Sequence, residues 1–247
     1  MKESKSITLA IAGLLVGAIL GLVGLILGAV VFNTSEPSLG GDVYTAKSTK
    51  KFLYLQQVND AYPWGQNPTY LLMEEPSPSD LDKDSDLDYT EVDGLSNSSE
   101  EVLLEKTFTY APIKKIGTME NSVQTLRGTA RAVAMASIAL DSCSTGVIYW
   151  TKAVFDLGEI SPTGDFVSLK TATSTPNFSV TNSTSYSSAS AQAFLSDVNY
   201  TIGVNNRLAL RVKLYGYVNS GDSCTGKIKL HHARGSADSY LEVYFEE

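Results

Sequence analysis

Histidine and cysteine are scarce in this chain of 247 residues, which has two of each. A zinc site built from several such ligands, an iron–sulfur cluster and an attached haem are therefore excluded. Positive charge is also in deficit, because 19 lysines and arginines stand against 27 aspartates and glutamates, for a formal net charge of -8. This balance excludes nucleic-acid binding through a broad basic surface.

Motifs that carry common enzyme chemistry are absent as well. The sequence has no G-x-S-x-G elbow, no P-loop and no G-x-G-x-x-G that opens a helix. The two histidines, His231 and His232, are adjacent within a predicted strand, so their side chains point to opposite faces. Because no general acid–base pair stands out, we expect that the protein is not an enzyme.

The N-terminal region contains a run of 26 residues without any charge, Ile7–Phe32. As an α-helix this run would be about 39 Å long, enough to cross a hydrocarbon core of about 30 Å with some tilt. Lys2 and Lys5 precede it and no basic residue follows until Lys47, which predicts a cytoplasmic N-terminus and an extracellular C-terminal domain. We favour a retained signal anchor; cleavage after Lys5 in the manner of a prepilin and ordinary signal cleavage remain open.

Glycines recur at four-residue steps along this hydrophobic run. Such spacing places small groups on one helix face, where two helix backbones can approach closely. The helix-packing candidates are Gly13, Gly17, Gly21, Gly24 and Gly28. This pattern predicts self-association in the membrane, although membrane helices are also glycine-rich in general.

Composition divides the chain into six predicted segments. They are a cytoplasmic N-terminus (1–6), a transmembrane helix (7–32), a linker (33–41), two N-terminal strands (42–73), an acidic insert (74–105) and a β-sandwich (106–247). The acidic insert holds twelve acids and one base. The negative charge of the chain therefore belongs to one segment.

Alternation of apolar and polar residues predicts strands throughout the C-terminal region. The clearest example is 207–218, in which Leu208, Leu210 and Val212 alternate with basic residues. The other predicted strands are 51–58, 69–73, 128–140, 147–157, 227–232 and 240–245. We expect an all-β ectodomain, a β-sandwich or jelly roll of antiparallel strands, after one transmembrane helix. Residues 171–190, with twelve serines or threonines, predict a long surface loop.

The two cysteines occupy matching positions in two similar stretches. Cys143 and Cys224 each lie between two predicted strands, shortly before a Thr-Gly pair. Two such hairpins side by side would bring their tips together, so we predict one disulfide between these cysteines in an oxidising compartment. Two unpaired thiols are the alternative.

Five sequons for N-glycosylation lie on the predicted outer side of the membrane. They are Asn33, Asn97, Asn177, Asn182 and Asn199. Together they predict a glycoprotein.

The acidic insert contains alternating carboxylates followed by a glutamate, a pattern that resembles the calcium loop of EF-hand proteins. The candidate ligands are Asp80, Asp82, Asp84, Asp86 and Glu91. The sequence departs from that loop, because Ser85 stands where the sharp turn needs glycine and Pro76 and Pro78 preclude an entering helix. Calcium is the one cofactor that we consider, and a solvated acidic spacer is the alternative.

The plan of the whole chain resembles that of archaeal surface proteins. A short charged N-terminus, a glycine-rich hydrophobic rod and a domain rich in Ser, Thr and Tyr are similar in plan to subunits of extracellular threads and cannulae, and to membrane-anchored virion proteins. That resemblance implies a jelly roll completed by a strand from its neighbour, with calcium nearby. The donor would be Asp42–Val58.

We therefore expect a single-pass protein of a cell or virion surface with a structural or recognition role. Its expected partners are the lipid bilayer, copies of itself, and surface glycans or other surface proteins, without nucleic acid. The alternatives are a filament subunit assembled by strand exchange and a surface carbohydrate-binding module, since tyrosine-rich sandwiches can offer stacking faces to sugars.

Overall fold

The computed structural model describes residues 48–58, 69–74, 89–110, 124–141, 143, 145–219, 224–232 and 239–246. Within these ranges no helix has the length and apolar composition needed to cross a bilayer. The predicted transmembrane helix, 7–32, lies outside the described residues.

The described elements are all strands, which confirms an all-β domain. They are β1 (Ser48–Val58), β2 (Thr69–Met73), β3 (Tyr89–Leu95), β4 (Glu101–Tyr110), β5 (Thr125–Asp141), β6 (Val147–Ile160), β7 (Phe166–Ser174), β8 (Phe178–Thr181), β9 (Ser187–Thr201), β10 (Arg207–Asn219), β11 (Thr225–His231) and β12 (Tyr240–Glu246).

Hydrogen bonds join the strands in the order β3-β11-β5-β12-β1-β2-β4-β10-β6-β7, with β9 paired to β5 and β8 paired to β6. We call β3, β11, β5, β12, β1 and β9 the first half-sheet, and the other six strands the second half-sheet. The strand pairs are antiparallel, as predicted, except that β2 and β4 run parallel over two residue pairs. The β1–β2 hairpin therefore connects the two half-sheets.

The two half-sheets enclose one hydrophobic core. Tyr110 in the second half-sheet stacks on Phe245 in the first, with ring centroids 5.8 Å apart. Gly226 in β11 lies so close to β6 that a Cβ atom there would be 2.6 Å from Ile148 Cδ1. The largest side chains that are fully buried are Trp150, Phe108 and Phe155. Removal of each such side chain from water stabilises the fold by about 1.5–3 kcal/mol.

Strand β10 shows why the alternating pattern was informative. Leu210, Val212 and Leu214 are completely buried, whereas Arg211 and Lys213 between them face outward. Successive side chains of a strand point to opposite faces, so an alternating sequence fits a strand with one buried face.

The predicted acidic insert, 74–105, includes regular structure in its second half. Strand β3 and the first half of β4 lie within it. Their acids, among them Glu91 and Glu105, alternate with inward residues such as Thr90 and Leu104. The predicted loop 171–190 is wrong, because it contains the end of β7, all of β8 and the start of β9.

The two cysteine-bearing connections cross between half-sheets, and the prediction that they are hairpins is wrong. Cys143 follows β5 in the first half-sheet and precedes β6 in the second, and Cys224 lies between β10 and β11 in the reverse direction. Because β5 pairs with β11 and β6 pairs with β10, the two crossings run side by side. Cys143 and Cys224 form the predicted disulfide there, with their Cα atoms 5.6 Å apart.

Candidate recognition face

The outer face of the first half-sheet carries a row of aromatic and charged side chains. Phe194, Arg131, Glu242 and Phe52 lie opposite one another in register on β9, β5, β12 and β1. Residues directly opposite in antiparallel strands share a face of the sheet. Tyr240 joins the row, because its ring centroid is 5.7 Å from that of Phe52 and 5.7 Å from the guanidinium carbon of Arg131.

Two of these rings are exposed although they are apolar. Phe194 is 61% exposed and Phe52 is 40% exposed. A surface depression of about 290 Å³ adjoins Phe52 and is lined by Lys50, Lys51, Tyr54 and Glu74 as well. We call Phe52, Tyr54, Arg131, Phe194 and Tyr240 the recognition face. Such rings are available to pack against a partner.

The basic residues around the recognition face are already paired, with one exception. The pairs are Lys50–Glu242 at 2.8 Å, Lys51–Glu74 at 2.7 Å and Arg127–Glu246 at 2.6 Å. Arg131 has no ion pair with any described carboxylate. Its Nη2 donates a hydrogen bond of 2.8 Å to Gln192 Oε1, and its buried Nε has no acceptor within the described part of the chain. An unsatisfied buried donor of this kind costs about 1–3 kcal/mol.

Arg211 on the second half-sheet also lies beside an aromatic ring, but it has carboxylate partners. Its guanidinium lies 4.3 Å from the ring centroid of Phe166, much as Arg131 lies beside aromatic rings. However, Arg211 also donates two hydrogen bonds, of 3.1 and 3.0 Å, to Asp156 Oδ2, and Glu105 is 3.8 Å away. The charge of Arg211 is therefore satisfied within the fold, in contrast to that of Arg131.

Glu74, which lines the depression beside Phe52, has a pKa that its neighbours lower. Burial alone would raise the pKa of Glu74, but hydrogen bonds from Lys51 and Tyr110 outweigh it and hold the pKa below its usual value. Burial and the neighbouring carboxylate raise the pKa of the Tyr110 phenol in turn. Glu74 is therefore charged at neutral pH and ties β1 to β4.

A second cluster on the same outer face packs tyrosines around lysines. The Lys229 ammonium lies 3.7 Å from the ring centroid of Tyr89 and 4.3 Å from that of Tyr186. Tyr186 donates a hydrogen bond to Glu91, whose carboxylate is 3.5 Å from Lys229. Burial and the adjacent Glu91 raise the pKa of Asp93. The cations in this cluster have carboxylate partners, so it fastens β3 and the segment before β9 to β11.

The two histidines lie on opposite faces, as predicted. His231 Nε2 is 2.5 Å from Ser137 Oγ on the outer face. His232 is buried, with Nε2 3.0 Å from Thr90 Oγ1 and its ring against Phe108. Thr90 in turn donates to Gln57 Oε1 at 3.0 Å. The His232 chain of hydrogen bonds satisfies polar groups inside the core.

The calcium prediction falls mostly outside the described residues. Asp80, Asp82, Asp84 and Asp86 lie in the undescribed stretch 75–88, and Glu91 lies in β3 with the partners given above. Within the described ranges, no group of three or more His, Cys, Asp or Glu side chains could hold a metal ion. Calcium binding therefore stays a prediction.

The described sequons differ in how available their amide groups are. Asn97 Nδ2 donates two hydrogen bonds of 3.0 Å, to the Ser99 and Gly216 carbonyl oxygens. Asn177, Asn182 and Asn199 are exposed, between β7 and β8, after β8 and in β9. Glycosylation stays a prediction at all of these positions. Asn33 and the predicted helix-packing glycines, Gly13, Gly17, Gly21, Gly24 and Gly28, lie outside the described residues.

Sequence reasoning missed the recognition face. Its members come from four strands that are distant in the chain, and only their register brings them together. The available signal was local: Phe52 and Tyr54 alternate with Leu53 and Leu55 in β1, which marks two aromatic residues for the outer face. Nothing in the sequence around Arg131 indicates that its charge is left without a carboxylate.

No family model and no curated protein matches the chain. Among solved structures, a CocE/NonD family hydrolase from Staphylococcus aureus is similar at 11% identity and a TM-score of 0.34, over 77% of this chain and 41% of the hydrolase. An aminopeptidase from a marine sediment Thaumarchaeota archaeon is similar at 11% identity and a TM-score of 0.39, over 82% of this chain and 34% of the enzyme. A structure of infectious bursal disease virus, Gx strain, is similar at 9% identity and a TM-score of 0.24, over 81% of this chain and 60% of the viral chain.

These comparisons correct the expectation that the protein is not an enzyme, because a hydrolase and an aminopeptidase are among the similar structures. The chain spans less than half the length of either enzyme. At TM-scores below 0.5 the likeness assigns no reaction to this chain.

Proposed function

We propose that the chain is a membrane-anchored protein of a cell or virion surface, with its all-β domain outside the cytoplasm. The domain, for which we propose a β-sandwich of jelly-roll type, serves recognition and structural contacts. Its anchor is the uncharged run 7–32, which Lys2 and Lys5 precede and which no basic residue follows until Lys47.

The observation that carries this proposal is the disulfide. Cys143 and Cys224 are the two cysteines of the chain and are bonded to each other across neighbouring sheet crossings. Disulfides persist in oxidising compartments outside the cytoplasm and are rare in the reducing cytosol. The pairing therefore supports an external location, on the side of the membrane that the flanking charges also predict.

The strand-exchange alternative has less support. Its predicted donor was Asp42–Val58, yet Ser48–Val58 forms β1 and pairs with β12 and β2 of its own chain. A subunit that donated β1 to a neighbour would first have to break these pairings. We therefore place membrane anchoring ahead of filament assembly.

The test is the N-terminus and extractability of the protein from native membranes. We expect intact-mass analysis to show the original N-terminus, or one without the initial methionine, and alkaline carbonate to leave the protein in the membrane pellet. A mature N-terminus beyond Phe32, with release by carbonate, would contradict the proposal. A start after Lys5 would indicate a prepilin-like rod instead.

A further inference from the structure

Arg131 makes no ion pair with a described carboxylate, because Glu242, which lies opposite it in register, pairs with Lys50. The neighbouring bases Lys50, Lys51 and Arg127 each have a carboxylate within 2.8 Å. Among the described residues, Arg131 donates a hydrogen bond to the amide oxygen of Gln192, and its buried Nε has no acceptor there. The centre of the recognition face thus carries one positive charge that suits an anionic group of a partner.

Aromatic rings lie close to that charge, one of them exposed and one half-buried. Phe194 lies with its ring centroid 6.0 Å from the Arg131 guanidinium carbon, and Tyr240 lies at 5.7 Å. Phe194 lies on β9 and Phe52 on β1, at the two ends of the row. The two strands are three strand spacings apart, which is about 14 Å. The recognition face is therefore an extended platform of rings with a cation near its middle.

A partner that satisfies both features must combine a flat apolar surface with an anionic group. A sugar ring offers an apolar face of C–H groups for an aromatic ring, and a uronic acid adds a carboxylate to that ring. A peptide of acidic residues alone would supply carboxylates but no ring for Phe194 and Phe52 to stack on. The chemistry on the face thus favours an acidic glycan.

We infer that the recognition face binds an acidic, uronate-bearing glycan, with its carboxylate on Arg131 and its sugar rings on Phe194, Tyr240 and Phe52. This inference rests on the proposed surface location, since it names the class of partner that the external domain would meet there. Binding is measured on purified protein and location on membranes, so either can fail while the other holds.

The experiment measures binding by isothermal titration calorimetry, with the full chain held in detergent micelles. The probes are tetragalacturonate and a hyaluronan tetrasaccharide, with maltotetraose as the neutral control and an aspartate tetrapeptide as the carboxylate control. We expect at least one uronate probe to bind at least tenfold more tightly than both controls.

Variants then locate the binding. Arg131→Gln and Phe194→Ala should each weaken binding at least tenfold, whereas Arg127→Gln, which removes an equal charge from the same strand, should change it less than twofold. Phe194→Ala removes a ring that is 61% exposed and should retain the fold, so it remains informative if Arg131→Gln does not fold. Absence of uronate binding, equal binding of the aspartate peptide, or equal loss in Arg127→Gln would overturn the inference.

Discussion

Loss of the disulfide should lower the stability of the all-β domain by several kcal/mol. Cys143 and Cys224 are separated by 81 residues in sequence, and their Cα distance of 5.6 Å lies within the usual range for a disulfide. For a loop of that length, the chain-entropy relation gives about 4.5 kcal/mol at 25 °C. This value is an upper figure, because a compact unfolded state has less entropy for the cross-link to remove.

The structure adds a reason to expect a large part of that value. The bond joins two crossings between half-sheets, and strands β6 to β10 lie in the loop that it closes. Without the bond, the two crossings would be held together only by packing and by the pairing of β5 with β11 and of β6 with β10. For a domain of this size, the loss corresponds to a fall in melting temperature of roughly 10 °C.

The assay is urea denaturation of oxidised protein, reduced protein and the double variant Cys143→Ser/Cys224→Ala. The reduced protein is the matched control, since it has the same side chains apart from the bond. We expect both forms without the bond to unfold at a midpoint about 2 M lower in urea if the slope is near 2 kcal/mol per molar. Equal free energies of unfolding for oxidised and reduced protein would refute the reasoning.

Three further predictions concern single positions. Gly216→Ala should destabilise the domain by about 1–3 kcal/mol in urea denaturation, because the new Cβ would lie 1.9 Å from the Tyr149 carbonyl oxygen and both strands would have to shift; unchanged stability would contradict the packing. Since the pKa of Glu74 is lowered in the fold, its contribution to stability is present above its usual pKa of 4.5 and is lost as pH falls below that value. Glu74→Gln should therefore flatten the pH dependence of the melting temperature between pH 5 and about 3, and a curve identical to wild type would count against the Lys51 contact. Asn97→Asp should cost about 1–3 kcal/mol, because an acceptor would replace the donor of two hydrogen bonds; a neutral effect in thermal unfolding would show that those bonds are not formed.

The bounds of some strands were predictable, and β2 and β10 illustrate how closely. The bounds of β2, Thr69–Met73, coincide with the predicted ones, and the predicted strand 207–218 extends by one residue in β10. In β10 the buried leucines alternate with outward residues and mark the inner face, whereas the adjacent leucines of β2, Leu71 and Leu72, are both buried. The period of two is a local property of the sequence, so local reasoning finds it.

Strands β3, β4 and β9 were obscured by composition. Acids on the outward side of β3 and β4 dominated the charge count of 74–105, although Thr90 and Leu104 point inward. In β9 the inward residues include Ala191 and Ala193, which are too small to stand out among serines. The average charge of a segment does not show which face of a strand carries the charged residues.

The recognition face could not have been predicted, because it depends on register. A shift of one residue in the pairing of β5 with β9 would place Phe194 opposite a residue other than Arg131. Phe194 and Arg131 would then lie on opposite faces of the sheet. The sequence also could not show which arginine lacks a carboxylate, since Arg131 and Arg211 occur in similar surroundings of apolar and small residues. That distinction follows from Asp156 and Glu105, which come from other strands.

The most direct test of the central claim, a membrane-anchored protein with its all-β domain outside, is limited proteolysis of intact cells or virions. The account predicts that protease added outside cleaves the chain within or after the linker, 33–41. The fragment with the uncharged run Ile7–Phe32 should stay in the membrane, and the disulfide-bonded domain should appear in the supernatant. Cleavage of the domain only after the membrane has been permeabilised would contradict the account.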